Sequence, residues 1–400
     1  MSSRAWTSAL LLFLAACEEE RLTDDPPEDA SVPIEDAAVE DAAEPPDVGA
    51  LDASEPDGGF VPSTRIELGS VTLSNGVSDE LAFELPADVT TFTVVIQGPV
   101  EVMFGVARLD GPTGLLVSDD ASNISLLESY LLGPFAAQFK SPNRVTGKEG
   151  VASALFPNNP SVNVSGGTYH MKVRGLQVAN GNGFSGNAAV AIDYKSSVTA
   201  HASIDVHVYL TGAGGLTTDT ATAALLTGAL ARLAEIYAQA NIELGSVSFH
   251  DIDPSFATRD VTAASLGPMF QLSLGNGPGL HYFLVDRFVG SIPGGMVGGI
   301  AGGLPGPPLR PGTVSSGVAV AVTAANGDAR VLAHVMAHEG GHWLGLFHTS
   351  EITGTADQLD DTPAGQAGQT FLMYPAVGGG QSISTSQADV MLRHLEVVAK

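Results

Sequence analysis

Three histidines and a glutamate near the end of a 400-residue chain have the types and spacing for metal chemistry. His338, Glu339, His342 and His348 fall in the run His338-Glu339-Gly340-Gly341-His342-Trp343-Leu344-Gly345-Leu346-Phe347-His348. On a helix, His338 and His342 lie one turn apart on one face, so both imidazoles can converge on a single ion. Glu339 then projects beside them toward a bound water. Gly345 can take a positive φ and turn the chain, which returns His348 as a third ligand. Three neutral nitrogens and an open fourth position describe a catalytic rather than a structural zinc site. Zinc makes hydroxide available near neutral pH, and Glu339 is placed to act as the base.

Other side chains have blander readings. His334 stands one turn before His338, but three ligands already satisfy the ion, so it is expected to face solvent or to support the ligands. His170, His207, His250 and His281 fall on or beside strand-like runs and are expected on polar faces. Asp357, Asp360 and Asp361 cluster as a hard cation requires, which makes calcium a second candidate metal. Met336 and Trp343 read as packing residues. The single cysteine, Cys17, excludes an intrachain disulfide, a Cys-ligated metal cluster and cysteine catalysis deeper in the chain. Lys and Arg total 17 against 44 Asp and Glu, a net charge of −27, and so acidic a surface repels nucleic acid.

The elements that must position this chemistry divide the chain into four stretches. Residues 1–17 hold a short apolar run, Ala9 to Ala16, ending at Cys17, too short to span a membrane. Leu14-Ala15-Ala16-Cys17 resembles a bacterial lipoprotein signal, which implies cleavage before Cys17 and its lipidation. The protein is then exported and lipid-anchored to a bacterial membrane, or otherwise extracellular. Residues 18–61 are acidic and rich in Pro and Ala; up to Phe60 they carry −15 of the −27 charge, which predicts a disordered, extended tether. Residues 62–199 alternate in short runs such as RIELGSVTLS, TFTVVIQ, VEVMFGVARL, SVNVSG, TYHMKVRG and AAVAIDYK, the pattern of a β-sandwich. Residues 200–400 alternate strand and helix. Strands are expected around Ile204 to Leu210, Glu243 to Phe249, His281 to Asp286 and Ser316 to Val322, and a helix from about Thr218 with Leu226, Leu230, Leu233 and Tyr237 on one face. Gly290 to Gly312, with nine glycines, reads as a loop.

His338 to His348 resemble the zinc signature of the metzincin metallopeptidases. Gly341-His342-Trp343-Leu344-Gly345-Leu346, with Thr349 after the third histidine and Asp360-Asp361-Thr362-Pro363 downstream, are similar to the pappalysin-like branch. The resemblance covers roughly residues 200–400. It implies an α+β catalytic domain with a mixed sheet, a zinc-binding helix, a Met-turn at Leu372-Met373-Tyr374-Pro375 with Met373 beneath the metal, and a closing helix from about Ser386 to Val398. It implies one zinc ion held by His338, His342 and His348, and peptide-bond hydrolysis with Glu339 as general base and Tyr374 near the oxyanion. Substrate would be a protein or peptide lying extended along a sheet edge, for which Ser316 to Val322 is the candidate. The chain departs from the branch in placing Tyr374 directly after Met373 and in lacking cysteines for its disulfides. No obligate protein partner is evident. Two other readings are a surface binding or adhesion lipoprotein whose metzincin-like domain is inactive, and a peptidase kept latent by its N-terminal region.

Overall fold

Period-two alternation gives each strand one face for the core, and the computed structural model pairs such runs into two large sheets. It describes residues 16–18, 63–221, 223–289, 297–351, 354–376 and 380–400. The expected signal segment, apart from Ala16 and Cys17, and nearly all of the expected tether lie outside the described residues. Ala16–Glu18 form β1, which joins the C-terminal sheet.

The N-terminal sheet has ten strands: β2 (Thr64–Ser74), β3 (Val77–Ser78), β4 (Leu81–Leu85), β5 (Thr91–Gln97), β6 (Val102–Gly111), β7 (Gly114–Val117), β8 (Lys148–Glu149), β9 (Val151–Phe156), β10 (Gly167–Gln177) and β11 (Gly186–Lys195). Hydrogen bonding runs β7-β6-β10-β3-β2-β11-β5-β9, with β4 on β10 and β8 on β6. The expected sandwich is thus one continuous sheet curled into a half-barrel. Phe92, Val94 and Ile96 of β5 share one core with Phe104 and Val106 of β6 and with Tyr169 and Val173 of β10. SVNVSG is not a strand, whereas VASALF, passed over in the sequence, is β9. Two short helices interrupt the sheet, α1 (Leu126–Leu132) and α2 (Ala136–Phe139). Ser125 and Glu128 form a capping box that starts α1.

The C-terminal sheet contains β12 (Ala202–Leu210), β13 (Ile242–Asp251), β15 (Leu280–Val285), β17 (Val297–Ala301), β18 (Val318–Ala321) and β19 (Val398–Ala399), besides β1. β13, β12, β15 and β18 run parallel in that order, β17 lies antiparallel outside β18, and β19 pairs with β12. The small pair β14 (Thr258–Asp260) and β16 (Arg287–Val289) lies off this sheet. One face is covered by α3 (Ala224–Ala238) and α5 (Ala329–Trp343), and the other by α4 (Ala263–Phe270). Buried on both faces, β15 reads as a continuous apolar run: Leu280, Tyr282 and Leu284 meet α3 and α5, while Phe283 and Val285 meet α4.

Three expectations need correction. The glycine-rich stretch contains β17, because glycines are tolerated where another chain segment must approach closely. Ser316 to Val322 is not a sheet edge, since β18 is flanked by β15 and β17. The last helix, α6 (Thr385–Arg393), stops five residues before Val398, and the chain returns to the sheet as β19. Among the described residues no helix is long and apolar enough to cross a membrane.

Candidate metal centre

The site begins with the helix that carries it. Asp328 caps α5 by accepting the Arg330 N–H at 2.8 Å. From Leu332 to Trp343 every residue of α5 is buried. Tyr282 Oη donates to the Met336 carbonyl at 2.9 Å and Tyr237 Oη to that of Ala337 at 3.3 Å. A side chain at Gly340 would collide with both tyrosine hydroxyls, and one at Gly341 would put its Cβ 2.8 Å from Met373 Sδ. The two glycines between Glu339 and His342 therefore let α5 settle onto β15 on one side and onto the Met373 turn on the other.

α5 ends as the sequence requires. Gly345 has φ +105°, its N–H donates to the His342 carbonyl, and the Leu346 N–H donates to the Gly341 carbonyl, each at 2.9 Å. This is a Schellman termination, and it sends the chain back so that His348 faces the helix. His342 Nε2 and His348 Nε2 lie 3.1 Å apart, and one nitrogen from each of His338, His342 and His348 lies within 4.8 Å of the others. The edge of a zinc–nitrogen tetrahedron is about 3.3 Å, so the spacing suits a small cation.

The far side of each ring is engaged. His338 Nδ1 is 2.7 Å from the Leu372 carbonyl, His342 Nδ1 is 2.7 Å from that of Leu346, and His348 Nδ1 is 3.0 Å from Glu351 Oε2. These partners fix the Nδ1–H tautomer and direct Nε2 inward. His338 Nε2 is buried with no hydrogen-bond partner among the described residues, a cost that a metal would relieve. Burial and the neighbouring imidazoles hold His338 and His342 well below the usual histidine range, in the neutral form that coordination needs. The donor set and its buried orphan nitrogen fit zinc. Glu339 is fully buried on the next position of α5, and its Cγ lies so close to Gly299 of β17 that a Cβ there would collide with it. β17 is thus the wall over the glutamate.

Met373 lies beneath Gly341, and the Met373 carbonyl accepts the Thr349 N–H at 2.9 Å, which ties the turn to the chain after His348. Tyr374 is half-buried, and its N–H closes the turn on the Phe371 carbonyl at 3.2 Å. His334 is buried rather than solvent-facing, with its ring centroid 6.0 Å from that of His338, and burial holds it down at about 4.

Two of the three aspartates have protein partners. Asp357 Oδ1 accepts from Thr362 Oγ1 at 2.6 Å, Asp361 accepts from Ser384 Oγ and the Ser386 N–H at the start of α6, and Asp360 is exposed. Among the described residues His338, His342 and His348 are the group of three side chains that could hold a metal ion. His207, His250 and His281 cluster instead on the α4 side of the sheet. His207 Nδ1 is 2.7 Å from Ser248 Oγ, which is 2.9 Å from His250 Nε2, and the His207 and His281 rings stack at 4.7 Å.

No family model matches this chain, and no curated protein matches it. Solved structures give faint likenesses. Metalloproteinase-II from Bacteroides fragilis is 16% identical over 53% of this chain and 63% of its own, with a TM-score of 0.30. Triatoma virus gives 13% identity over 44% of this chain and 81% of its own at TM-score 0.19. A family two carbohydrate esterase from Clostridium thermocellum gives 8% over 56% and 66% at 0.16. Likenesses this slight carry no argument, and the functional reading rests on the site.

Sequence reasoning missed Glu351, the partner of His348, although its spacing three residues after that ligand is a local signal. It also missed Gly299, whose contact with Glu339 joins residues forty apart and leaves no local trace.

Proposed function

We propose that this chain is a zinc-dependent endopeptidase of metzincin type, closest to the pappalysin-like branch, exported and lipid-anchored through Cys17. The observation that carries the reading is the convergence of three Nε2 atoms, each ring fixed from behind, beside the buried Glu339. Zinc held by His338, His342 and His348 supplies Lewis acidity that polarises a carbonyl and acidifies water. Glu339 takes the proton from the attacking water and delivers it to the leaving amine once the tetrahedral carbon collapses. Its burial beneath β17 keeps bulk water from competing for that proton. An extended peptide is assigned to the outer edge of β17 in place of β1, which cleavage before Cys17 and its lipidation would take from that edge. Tyr374 is assigned to the developing oxyanion.

The test is cleavage of an unfolded protein by the full chain, with zinc content measured in parallel. Wild type should cut, a chelator should abolish cutting, and Glu339→Ala should lose at least ~100-fold in rate while keeping one zinc per chain, as loss of a general base implies. Zinc-loaded wild type that cuts neither proteins nor peptides would favour the binding-protein reading. In the expressing cells Cys17→Ser should move the protein from the membrane fraction to the soluble one.

A further inference from the structure

The third ligand, His348, lies outside α5 and so depends on whatever holds the loop that follows it. The described residues after it pair as a hairpin stem: the Asp357 N–H donates to the Thr349 carbonyl at 3.1 Å, the Glu351 N–H to that of Thr355 at 2.8 Å, and Ser350 bridges Ala356. Glu351, on its first arm, is the residue that orients His348. Into the second arm reaches a side chain from the loop between α2 and β8. Arg144 Nη2 donates to the Ala356 carbonyl at 2.6 Å. Its guanidinium carbon lies 4.1 Å from the ring centroid of Phe139 on α2 and 5.1 Å from that of Phe347, the neighbour of His348. The two rings meet edge to face at 5.6 Å.

Arg144 is itself built in. It is 3% exposed. Its backbone N–H donates to Asn158 Oδ1 at 3.1 Å, its carbonyl accepts from Asn158 Nδ2 at 2.6 Å, and the Asn158 N–H donates to Asn143 Oδ1 at 3.1 Å. Gln358, just past the hairpin, donates in turn to the Ser141 carbonyl. Burying a guanidinium is costly unless opposite charge lies near, and the carboxylates of Glu351 and Asp357 oppose the lowering that burial imposes on Arg144. One cation thus touches the hairpin backbone, the ring beside His348 and the field of the carboxylate behind His348.

We propose that Arg144, on the loop that leads into β8 of the N-terminal sheet, is a positioning residue for the metal centre and fixes His348 by clamping the stem formed by residues 349–351 and 355–357. The inference rests on the metallopeptidase reading and adds to it that the curled sheet is part of the metal site's support. Groups hydrogen-bonded to a metal ligand, here Glu351, are worth roughly 10- to 100-fold in metal affinity, and Arg144 acts through the stem that carries it.

The test uses the full-length protein and two readouts besides activity, zinc affinity by competition with a chelator and the visible spectrum of the cobalt-substituted form. Arg144→Met should bind zinc more weakly, by up to roughly 10-fold, and change the cobalt spectrum. Arg144→Lys, which keeps the charge and a donor for Ala356, should recover part of the loss. If Arg144→Met does not fold, Arg144→Gln makes the same comparison. Lys195→Met is the control, because Lys195 also bridges the two sheets but donates to the carbonyls of Leu392, His394 and Val397, none of them at the metal site. It should lower Tm and leave zinc affinity and spectrum as in wild type. Arg144 variants that lose only Tm, as the control does, would overturn the proposal. Wild type that binds no stoichiometric zinc or cobalt would instead overturn the metallopeptidase reading, before Arg144 is in question.

Discussion

At the scale of single residues, one buried carboxyl outside the metal site has a consequence for stability. Glu396 lies between two loops and accepts the N–H groups of Leu309, at 2.7 Å, and of Gly279. Burial outweighs these bonds and pushes its carboxyl up to about 8. A folded-state pKa above the unfolded one means that the native chain keeps a proton the unfolded chain has lost. The contribution is full below about pH 4.5 and is lost as pH rises toward 8, at about 1.4 kcal/mol per pH unit where the two states differ fully. Asp357, pushed up to about 6 by burial, adds the same sign at lower pH. The buried histidines and Lys195, held below their ordinary values, act with the opposite sign in this range, so the effect is read as a difference: the stability of wild type relative to Glu396→Gln, from urea midpoints, should fall between pH 6 and 8. An equal slope in both would assign the pH dependence elsewhere. Nothing around Glu396 in the sequence announces this role, because its partners lie about 90 and 120 residues earlier. The metal ligands are the opposite case. His338, His342 and Gly345 follow one another at about one helical turn, so spacing alone was enough to predict both the converging rings and the positive φ.

At the scale of elements, β17 and α5 depend on each other. Gly299 faces Glu339 and Val335, and an added Cβ would lie 2.9 Å from Val335 Cγ1 and closer still to Glu339 Cγ. These atoms lie near the helix backbone, so they cannot swing away as the end of a long side chain could. Gly299→Ala should force β17 from α5 or displace the glutamate, costing about 1–3 kcal/mol by overpacking. The expected outcome is a lower Tm and a fall in kcat at undiminished zinc content, because the atoms nearest the added Cβ belong to Glu339 and Val335. A variant with wild-type kcat would show that β17 is not the wall over the base. Gly340→Ala should be worse for folding, since the atoms it meets are two buried hydroxyls already bonded to the α5 backbone. This also explains why β17 was illegible in the sequence. The small residues that let it approach the helix are the ones whose composition signals a loop, and only the packing shows that they line a strand. α1 had a legible capping box at Ser125 and Glu128, but seven residues between strands gave too little helical period to stand out.

At the scale of the molecule, a change in sequence texture near His201 separates the two sheets, yet side chains cross that line throughout. Leu155 of β9 belongs to the core around α5 and packs against Gly345. Lys195, at the end of β11, gives hydrogen bonds of 2.8, 3.0 and 3.1 Å to three carbonyls near the end of α6 and just beyond it. Arg310 pairs with the buried Asp193, Ser315 Oγ donates to the Val151 carbonyl at 3.0 Å, and Arg393 reaches the Thr90 carbonyl at 3.1 Å. Removing the first sheet would expose the apolar surface that Leu155 covers and forfeit these hydrogen bonds, each about 0.5–1.5 kcal/mol net, against a total stability of about 5–15 kcal/mol. The chain is therefore expected to unfold as one unit. Calorimetry of the full chain should give a single transition, raised by zinc by about 2.7 kcal/mol when the ion is at 100 times its Kd. A fragment of residues 200–400 alone should show neither a cooperative transition nor tight zinc binding, and mixing it with residues 62–199 should restore both. Two separate transitions, with zinc raising only the upper or lower one, would show that the metal site folds without its neighbour. Alternation along β9 and β11 could mark which side chains turn inward, but not that Leu155 and Lys195 turn toward another sheet's helices. That pairing is a property of the assembled surfaces, and it makes the N-terminal sheet structural support for the metal site rather than an appendage to it.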